Sequence, residues 1–440
     1  MRPVDVAAAV ADGFLAGAWE APALAERGAV ILGQPLPWLA PLARAATRRF
    51  PAPPQARELA SWLARSKPLR RACAVGLLVR QRLWPEPVMA PAPRLAGCAL
   101  PPLLTEGDLA AWLGLSIGEL SWFADVRGLE RISADGPLRH YRYRWLHKAV
   151  GYRLVEAPRP RLRAVQRRIL HEILDRLPPH QAAHGFRRGR SVRSYVEPHV
   201  ARQVVVHLDL REFFPSVRAA AVRGIFRAAG YPRPVTGLLA GLCLNRVPPL
   251  VWDGAPALAG DAAIATRARA RRFYAHPHLP TGAPTSPALG NLVAFALDVR
   301  LSAAAMAAGA RYTRYADDLT FSGDADFARG AARFVRLAAR IAGDQGFRLH
   351  EGKTRIMRAS TRQRIAGVVI NARPNLARHE YDRLKATVHN VRRLGASSQN
   401  RGGVSDFRAH LLGRIAWLES LHPERGRRLR AALDGLDWSR

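Results

Sequence analysis

Two stretches about a hundred residues apart constrain this chain more than any other feature. The first, Val204-Val-Val-His-Leu-Asp-Leu-Arg-Glu-Phe-Phe-Pro-Ser216, is an apolar run that closes on a single acid, Asp209. A run this short and β-branched reads as a buried strand. The second, Arg311-Tyr-Thr-Arg-Tyr-Ala-Asp-Asp-Leu-Thr-Phe-Ser-Gly323, sets Asp317 and Asp318 side by side between segments rich in aromatic and β-branched residues, which favour strands. Alone, Asp209 reads as a solvated strand end or a helix cap, and the acid pair as an ordinary surface turn.

Together the three acids suit one chemistry. Extending a nucleic acid requires a hydroxyl to be activated and a pyrophosphate to leave, and two Mg²⁺ ions ~4 Å apart can assist at both oxygens. Mg²⁺ is hard, keeps several waters, and is held by one or two carboxylates plus substrate phosphate. Three carboxylates on two neighbouring strands meet that need. Charge points the same way: the 440 residues carry 68 Lys and Arg against 34 Asp and Glu, a formal net charge of +34. Only Lys67, Lys148, Lys353 and Lys385 are lysines, which reflects coding bias, yet bias between Arg and Lys does not explain the excess of bases over acids. A chain so basic expects nucleic acid as its partner. It must still concentrate negative charge where divalent cations sit.

The organisation reads as three regions. Residues 1–100 are rich in Ala, Pro and Arg, with helical patterns such as Ala56–Ala64, and end in a Pro-rich linker at 85–101. Residues 101–375 hold every motif. They open with two short helices for which Thr105 and Ser116 are caps, which pack against the next domain in preference to forming a helix-turn-helix. Leu162, Val165, Ile169, Ile173 and Leu177 then share one helical face. Residues 376–440 are a basic helical region in which Tyr381, Leu384, Val388, Val391 and Leu394, then Phe407, Leu411, Ile415 and Leu418, repeat at helical spacing around a loop at 395–403. Cys73, Cys98 and Cys243 indicate neither a disulfide framework nor a zinc cluster. With no run of ~18 apolar residues, the expectation is a cytoplasmic protein without a membrane partner.

These residues resemble the reverse transcriptases. Asp209 in HLDLREFFPSV resembles their first catalytic motif and Tyr315-Ala-Asp-Asp318 their Tyr-x-Asp-Asp box. In order along the chain, 152–170 resembles the fingers motif with its Arg-rich helix, 184–191 the following fingers motif, 279–292 the nucleotide-pocket loop and helix, and 351–354 the motif whose Lys lies near the departing pyrophosphate. The wording FFPS, GAPTSPALGN and YADDLTFSG is most similar to bacterial retron enzymes. Two retron markers are partial: Tyr195-Val-Glu-Pro-His199 keeps only the His of Asn-Ala-x-x-His, and Ile365-Ala-Gly367 stands for Val-Thr-Gly. The N-terminal region and an insert at about 230–278 also resemble the larger retron enzymes.

The resemblance implies an α+β right-hand polymerase: fingers, a palm with an antiparallel sheet, a helical thumb over 376–440, and a helical N-terminal extension. It implies that Asp209, Asp317 and Asp318 hold two Mg²⁺ ions and that Lys353 assists the leaving phosphate. Phe214 stands where the family closes off the sugar 2′ side; its alternative is a core ring beside Phe213. Thr281 and Gly282 fall in the nucleotide pocket, where many relatives have Gln in place of Thr281, and Ser286 is expected to cap the helix that follows, with Pro287 in its first turn. Arg153 and Arg187 are candidates for the triphosphate, Arg163 and Arg188 for the template, and Tyr315 for the primer end. The implied partners are deoxynucleotides, a structured non-coding RNA that is template and primer, its DNA product, and an effector protein encoded nearby. A branched RNA-linked DNA and a role in defence against phage follow from the same resemblance. Other bacterial reverse transcriptases (intron-encoded, diversity-generating or abortive-infection type) and a non-catalytic RNA-binding scaffold are the alternatives.

Overall fold

A computed structural model describes residues 2–84, 87–132, 136, 138–148, 151–258, 260–434, 436 and 438. Small parts of three expected regions lie outside the described residues: 85–86 of the linker, 259 of the insert, and 435, 437, 439 and 440 at the C-terminus. The chain divides into two compact units, Met1–Val88 and Met89–Arg440.

The first unit is helical, with helices Pro3–Phe14, Ala21–Leu32, Leu39–Arg49, Ala56–Ala64 and Lys67–Ala74. Val6, Val10 and Phe14 recur at helical spacing and pack with Leu24, Ile31, Leu42, Leu59 and Leu63 into a core of its own. From Met89 onward the Pro-rich stretch belongs to the second unit. Ala90 N donates to Gly230 O at 3.0 Å and Ala92 N to Ala228 O at 2.8 Å, so half of the expected linker is tied down. Gly230 permits this approach, because a Cβ there would meet Pro91 N at 2.7 Å.

In the second unit, helices Glu106–Leu113 and Ile117–Phe123 both open with capping boxes, on Thr105 and Ser116. Leu109, Leu113, Leu120 and Phe123 are buried in the main core, so these helices pack against the domain. Strands β1 (Tyr141–His147) and β2 (Tyr152–Pro158) form an antiparallel hairpin. Helix Pro160–Glu172 stops before Ile173, which turns to φ −121° and starts a 3₁₀ turn; Ile173 and Leu177 are buried all the same.

The central sheet has four antiparallel strands in the order β4-β5-β3-β6: β3 (Val204–Asp209), β4 (Arg311–Tyr315), β5 (Asp318–Gly323) and β6 (Arg355–Arg358). Alternation decides what each face carries. Val204, Val206, Leu208, Leu319 and Phe321 join the main core with Phe327, Phe334, Ala338 and Ile341 of helix Ala325–Asp344. The opposite face carries Val205, His207 and Asp209 on β3 and Asp318, Thr320 and Ser322 on β5. That face is polar and largely buried, so each group there needs a partner.

The insert forms helices Arg233–Cys243, Pro249–Asp253 and Asp261–Tyr274. Ala366 and Gly367, both at positive φ, turn the short hairpin β7 (Arg364–Ile365) to β8 (Val368–Val369). Helices Arg378–Leu394, Phe407–Leu421 and Pro423–Ala431 then pack through Leu384, Val388, Val391, Leu411, Ile415 and Leu418. Leu394, expected on that stripe, is exposed, because Gly395 ends the helix beside it. No single helix among the described residues is long and apolar enough to cross a membrane.

Candidate active site

The register of the central sheet places Asp209, the last residue of β3, directly opposite Asp318, the first of β5. Residues opposed in an antiparallel pair hold their Cβ atoms ~4.5–5.5 Å apart. Asp317 sits in the tight turn between β4 and β5, where Ala316 takes φ +55°. Three bonds fix this end of the sheet: Leu210 N donates to Asp317 O at 2.9 Å, His350 N to Asp209 O at 2.7 Å, and Arg211 N to Arg348 O at 2.7 Å. Gly185 backs the turn, and a Cβ on it would meet Ala316 N at 2.8 Å.

The three carboxylates feel one another. Burial raises the Asp317 pKa above the ordinary Asp value, and the negative charges of Asp318 and Asp209 raise it further, while Lys353 opposes the shift. Asp209 is 5% exposed and accepts from Lys353 Nζ at 2.8 Å. Asp318 Oδ1 lies 3.1 Å from His207 Nε2, two residues along the same face. With the side chains turned to these partners, no three His, Cys, Asp or Glu among the described residues form a ready metal-binding group. The donor set nevertheless fits a hard divalent cation: oxygen ligands only, one of them half-buried against like charge, and another already holding an ammonium.

Aromatic rings border the acids. Tyr315 lies between Tyr195 at 5.5 Å and Phe186 at 6.1 Å, and Phe186 lies 6.5 Å from Phe214. Phe186 is 55% exposed and held at φ +56°, a conformation a bulky residue seldom adopts. Its motif, 184–191, carries part of the family resemblance, but no local signal in the sequence singles out this ring. Phe214 is half-buried and rests on Gly290, where a Cβ would stand 3.1 Å from its Cε1.

Behind the pocket loop lies a buried network that the sequence did not disclose. Glu156 is fully buried; it accepts from Asn245 Nδ2 at 2.7 Å and lies 3.1 Å from His278 Nε2. Its backbone N donates to Thr281 O at 2.8 Å, and Thr281 N donates back to its carboxylate at 3.3 Å. Gly282, at φ +127°, presses on the same residue, since a Cβ would meet Glu156 O at 2.9 Å. Ser286 does not cap the following helix. It is the first helical residue and donates its hydroxyl to Pro280 O at 2.7 Å, while Thr285 occupies the cap position without a side-chain capping bond. The loop's own carbonyl is the nearer acceptor and takes the hydroxyl.

The basic candidates separate. Arg153 is exposed on β2 and belongs to one electrostatic neighbourhood with Lys148, Glu212, Lys353 and Asp209. Lys148, half-buried there and overlooked in the sequence, has its pKa lowered by burial and then by Arg153, an effect Glu212 partly offsets. Arg163 turns back to Pro158 O at 3.0 Å, and Arg187 to His180 O at 3.4 Å. Arg188 is exposed, 3.8 Å from Asp175. No contact joins these three to the acids.

His199, the retained half of the partial marker, is fully buried between Ser322 Oγ and Thr313 Oγ1, each at 2.7 Å. Burial pushes its pKa down to about 3, so it is neutral and bridges β4 to β5 behind the acids. Tyr195 OH meets Thr320 Oγ1 at 2.5 Å on the same face.

The reverse transcriptase (RNA-dependent DNA polymerase) family matches residues 146–395. The retron Mx65 reverse transcriptase of Myxococcus xanthus is 40% identical over 338 residues, 76% of this chain and 73% of that one. The retron Mx162 reverse transcriptase of the same organism is 36% identical over 354 residues, covering 76% and 68%. The retron Ec86 reverse transcriptase of Escherichia coli is 28% identical over 278 residues, covering 63% and 74%. This chain therefore belongs to the reverse transcriptase family, among the retron type, and is an RNA-directed DNA polymerase.

Proposed function

We propose that this polymerase copies a structured non-coding RNA into DNA by two-metal nucleotidyl transfer at Asp209, Asp317 and Asp318. The observation that carries the reading is the pairing of Asp209 with Asp318, with the Asp317 carbonyl accepting from Leu210, the residue that follows β3. Two Mg²⁺ ions, when bound, would activate the attacking hydroxyl and steady the leaving oxygen. The hydroxyl gives its proton to solvent as its oxygen bonds to the α-phosphorus, the bond from that phosphorus to the bridging oxygen of the β-phosphate breaks, and pyrophosphate leaves with the electron pair. Lys353, whose Nζ reaches Asp209, neutralises that charge in this reading, a contribution of ~10²–10⁴-fold if it also donates a proton. Arg153 and Lys148 flank the same neighbourhood and suit a triphosphate, with Arg187 beside the aromatic border.

In this reading the central sheet is the palm, the β1–β2 hairpin with its following helix the fingers, and the helices from Arg378 the thumb. Phe214 closes the sugar 2′ side and Tyr315 lies against the primer end. Thr281 and Gly282, held by Glu156, floor the nucleotide pocket. Arg163 and Arg188 serve the template. The relatives are named as retron reverse transcriptases, and our reading extends that to a branched RNA-linked single-stranded DNA, made in the cytoplasm and used with an effector protein against phage, as the resemblance implies.

The test is primer extension on an RNA template with Mg²⁺, comparing the wild type with Asp317→Asn plus Asp318→Asn. Extension by the wild type alone, with equal RNA binding by both, is expected. Absent synthesis in both proteins would leave an RNA-binding scaffold. Sequencing nucleic acid that copurifies with the protein tests the retron product, which requires DNA joined to RNA of one sequence.

A further inference from the structure

Charge in the helical unit Met1–Val88 is divided along the chain. Residues 1–38 hold two bases, Arg2 and Arg27, against four acids, Asp5, Asp12, Glu20 and Glu26, a net −2. Residues 39–88 hold ten bases against Glu58 and Glu86, a net +8. Coding bias toward Arg would load both halves alike. The positive half also carries a concavity of about 450 Å³ between helices Leu39–Arg49 and Ala56–Ala64, bordered by Arg49, Phe50, Arg57, Glu58, Trp62 and Arg65.

The concavity is built from its floor upward. Phe50 is pinned by Trp19, whose Nε1 donates to Phe50 O at 2.8 Å, and its ring meets Trp62 edge-on at 6.0 Å. Trp62 is half-buried and contributes part of its ring to the cavity. Arg49, Arg57 and Arg65 are exposed, and none forms an ion pair among the described residues. Arg49 reaches over the Phe50 ring at 5.5 Å, and Arg65 Nε donates to Ser61 O at 3.1 Å, with its other guanidinium nitrogens unbonded among the described residues. Glu58 is the one carboxylate on the rim.

We propose that this groove binds single-stranded nucleic acid: three guanidinium groups track the phosphates and the Trp62 ring takes a base. Unpaired cations around an aromatic floor are the arrangement that single strands use, whereas a duplex hides its base faces. The strand is either RNA template or DNA product, and the proposal rests on the polymerase reading above only for that pair of sources.

The test uses the full chain carrying Arg49→Gln, Arg57→Gln and Arg65→Gln, beside a control carrying Arg333→Gln, Arg336→Gln and Arg340→Gln on the exposed side of helix Ala325–Asp344. Probes are labelled oligomers of about 12 nucleotides, as single-stranded RNA, single-stranded DNA and RNA duplex. Losing three phosphate contacts lowers the slope of log affinity against log salt by about 2 for single strands. The groove variant is expected to lose that slope with a single strand and the control is not, and whichever of RNA or DNA shows the loss identifies the source. A second arm crosslinks 5-bromouracil-containing strands and expects the peptide bearing Trp62. Equal slope changes in both variants, no change in either, or equal loss on the duplex would each overturn the proposal. Extension of a short pre-annealed primer is expected to be unchanged in the groove variant. If the wild type fails to extend that primer, it is the polymerase reading that falls, independently of the slopes.

Discussion

Asp298 grips Arg314 and Asp317 lies three residues after that arginine, and the surroundings of the two acids are opposite. Asp298 is wholly buried and saturated: it accepts from Arg314 Nε at 2.8 Å, from Arg314 Nη2 at 2.7 Å and from Tyr312 OH at 2.8 Å. The same guanidinium donates to Asn291 Oδ1 at 2.9 Å and Ala316 O at 3.0 Å, and Asn291 in turn donates to Gly185 O at 2.8 Å. Asp317 is half-buried, faces two further negative charges, and is only partly compensated by a backbone hydrogen bond and by Lys353. A carboxylate whose acceptors are all filled is scaffolding. One held against like charge stores electrostatic free energy that a bound cation releases, which marks a site of chemistry.

The contrast breaks most directly at the acids themselves. Asp317→Asn should lower primer extension by about 10³-fold or more, the scale of losing several kcal/mol of transition-state charge stabilisation. Its melting temperature without metal should stay level or rise, because repulsion has been removed. Asp298→Asn should do the reverse. It leaves the buried Arg314 guanidinium without a counter-charge, which costs about 3–5 kcal/mol, readable as a lower denaturation midpoint. Synthesis per folded molecule should fall far less. Pairing Asp298→Leu with Arg314→Met should recover much of the stability. A drop in stability for Asp317→Asn as large as that for Asp298→Asn would erase the distinction between the two sites.

How much of this was legible in the sequence depends on the range of each interaction. β3 was legible because Val204 to Leu208 is an apolar run that needs burial, and its register with β5 was implied once two acids had to meet one. The caps on Thr105 and Ser116 were local, and so were the helical stripes after Pro374. The polar partnerships were not. Glu156 meets His278 across 122 residues and Tyr195 meets Thr320 across 125, and no periodicity reports such pairs. Ser286 shows the smaller failure: cap chemistry at the right spacing lost to a carbonyl that the preceding loop folds into reach. His207 lies inside the apolar run, and only alternation in the folded sheet shows it on the polar face beside Asp318.

A comparison within the aromatic border sharpens the reading further. Phe213 is buried and stacks on Phe347 at 5.6 Å, whereas Phe214 is half-buried and faces Phe186. Phe214→Ala should therefore alter selectivity, raising the ratio of ribonucleotide to deoxynucleotide incorporation by about 10–200-fold, the range set by one steric contact in a pocket. Phe213→Ala should act instead through a cavity, costing about 3–5 kcal/mol of stability. An unchanged incorporation ratio for Phe214→Ala would remove it from the nucleotide pocket and return it to the core.

The smallest effect isolates the stored repulsion. Because the folded pKa of Asp317 is raised, its contribution to stability is full below the ordinary Asp range and is lost as pH rises through the folded value. Without divalent metal, the melting temperature of Asp317→Asn relative to wild type should therefore climb between acidic and neutral pH. Adding Mg²⁺ at neutral pH should act on the wild type in the opposite sense. A ligand at ten times its Kd stabilises by about 1.4 kcal/mol, and the variant, with a ligand oxygen replaced, should gain less. A gap between the two proteins that stays constant across pH and ignores Mg²⁺ would mean that Asp317 carries no excess charge repulsion, and the difference from Asp298 would then be one of burial alone.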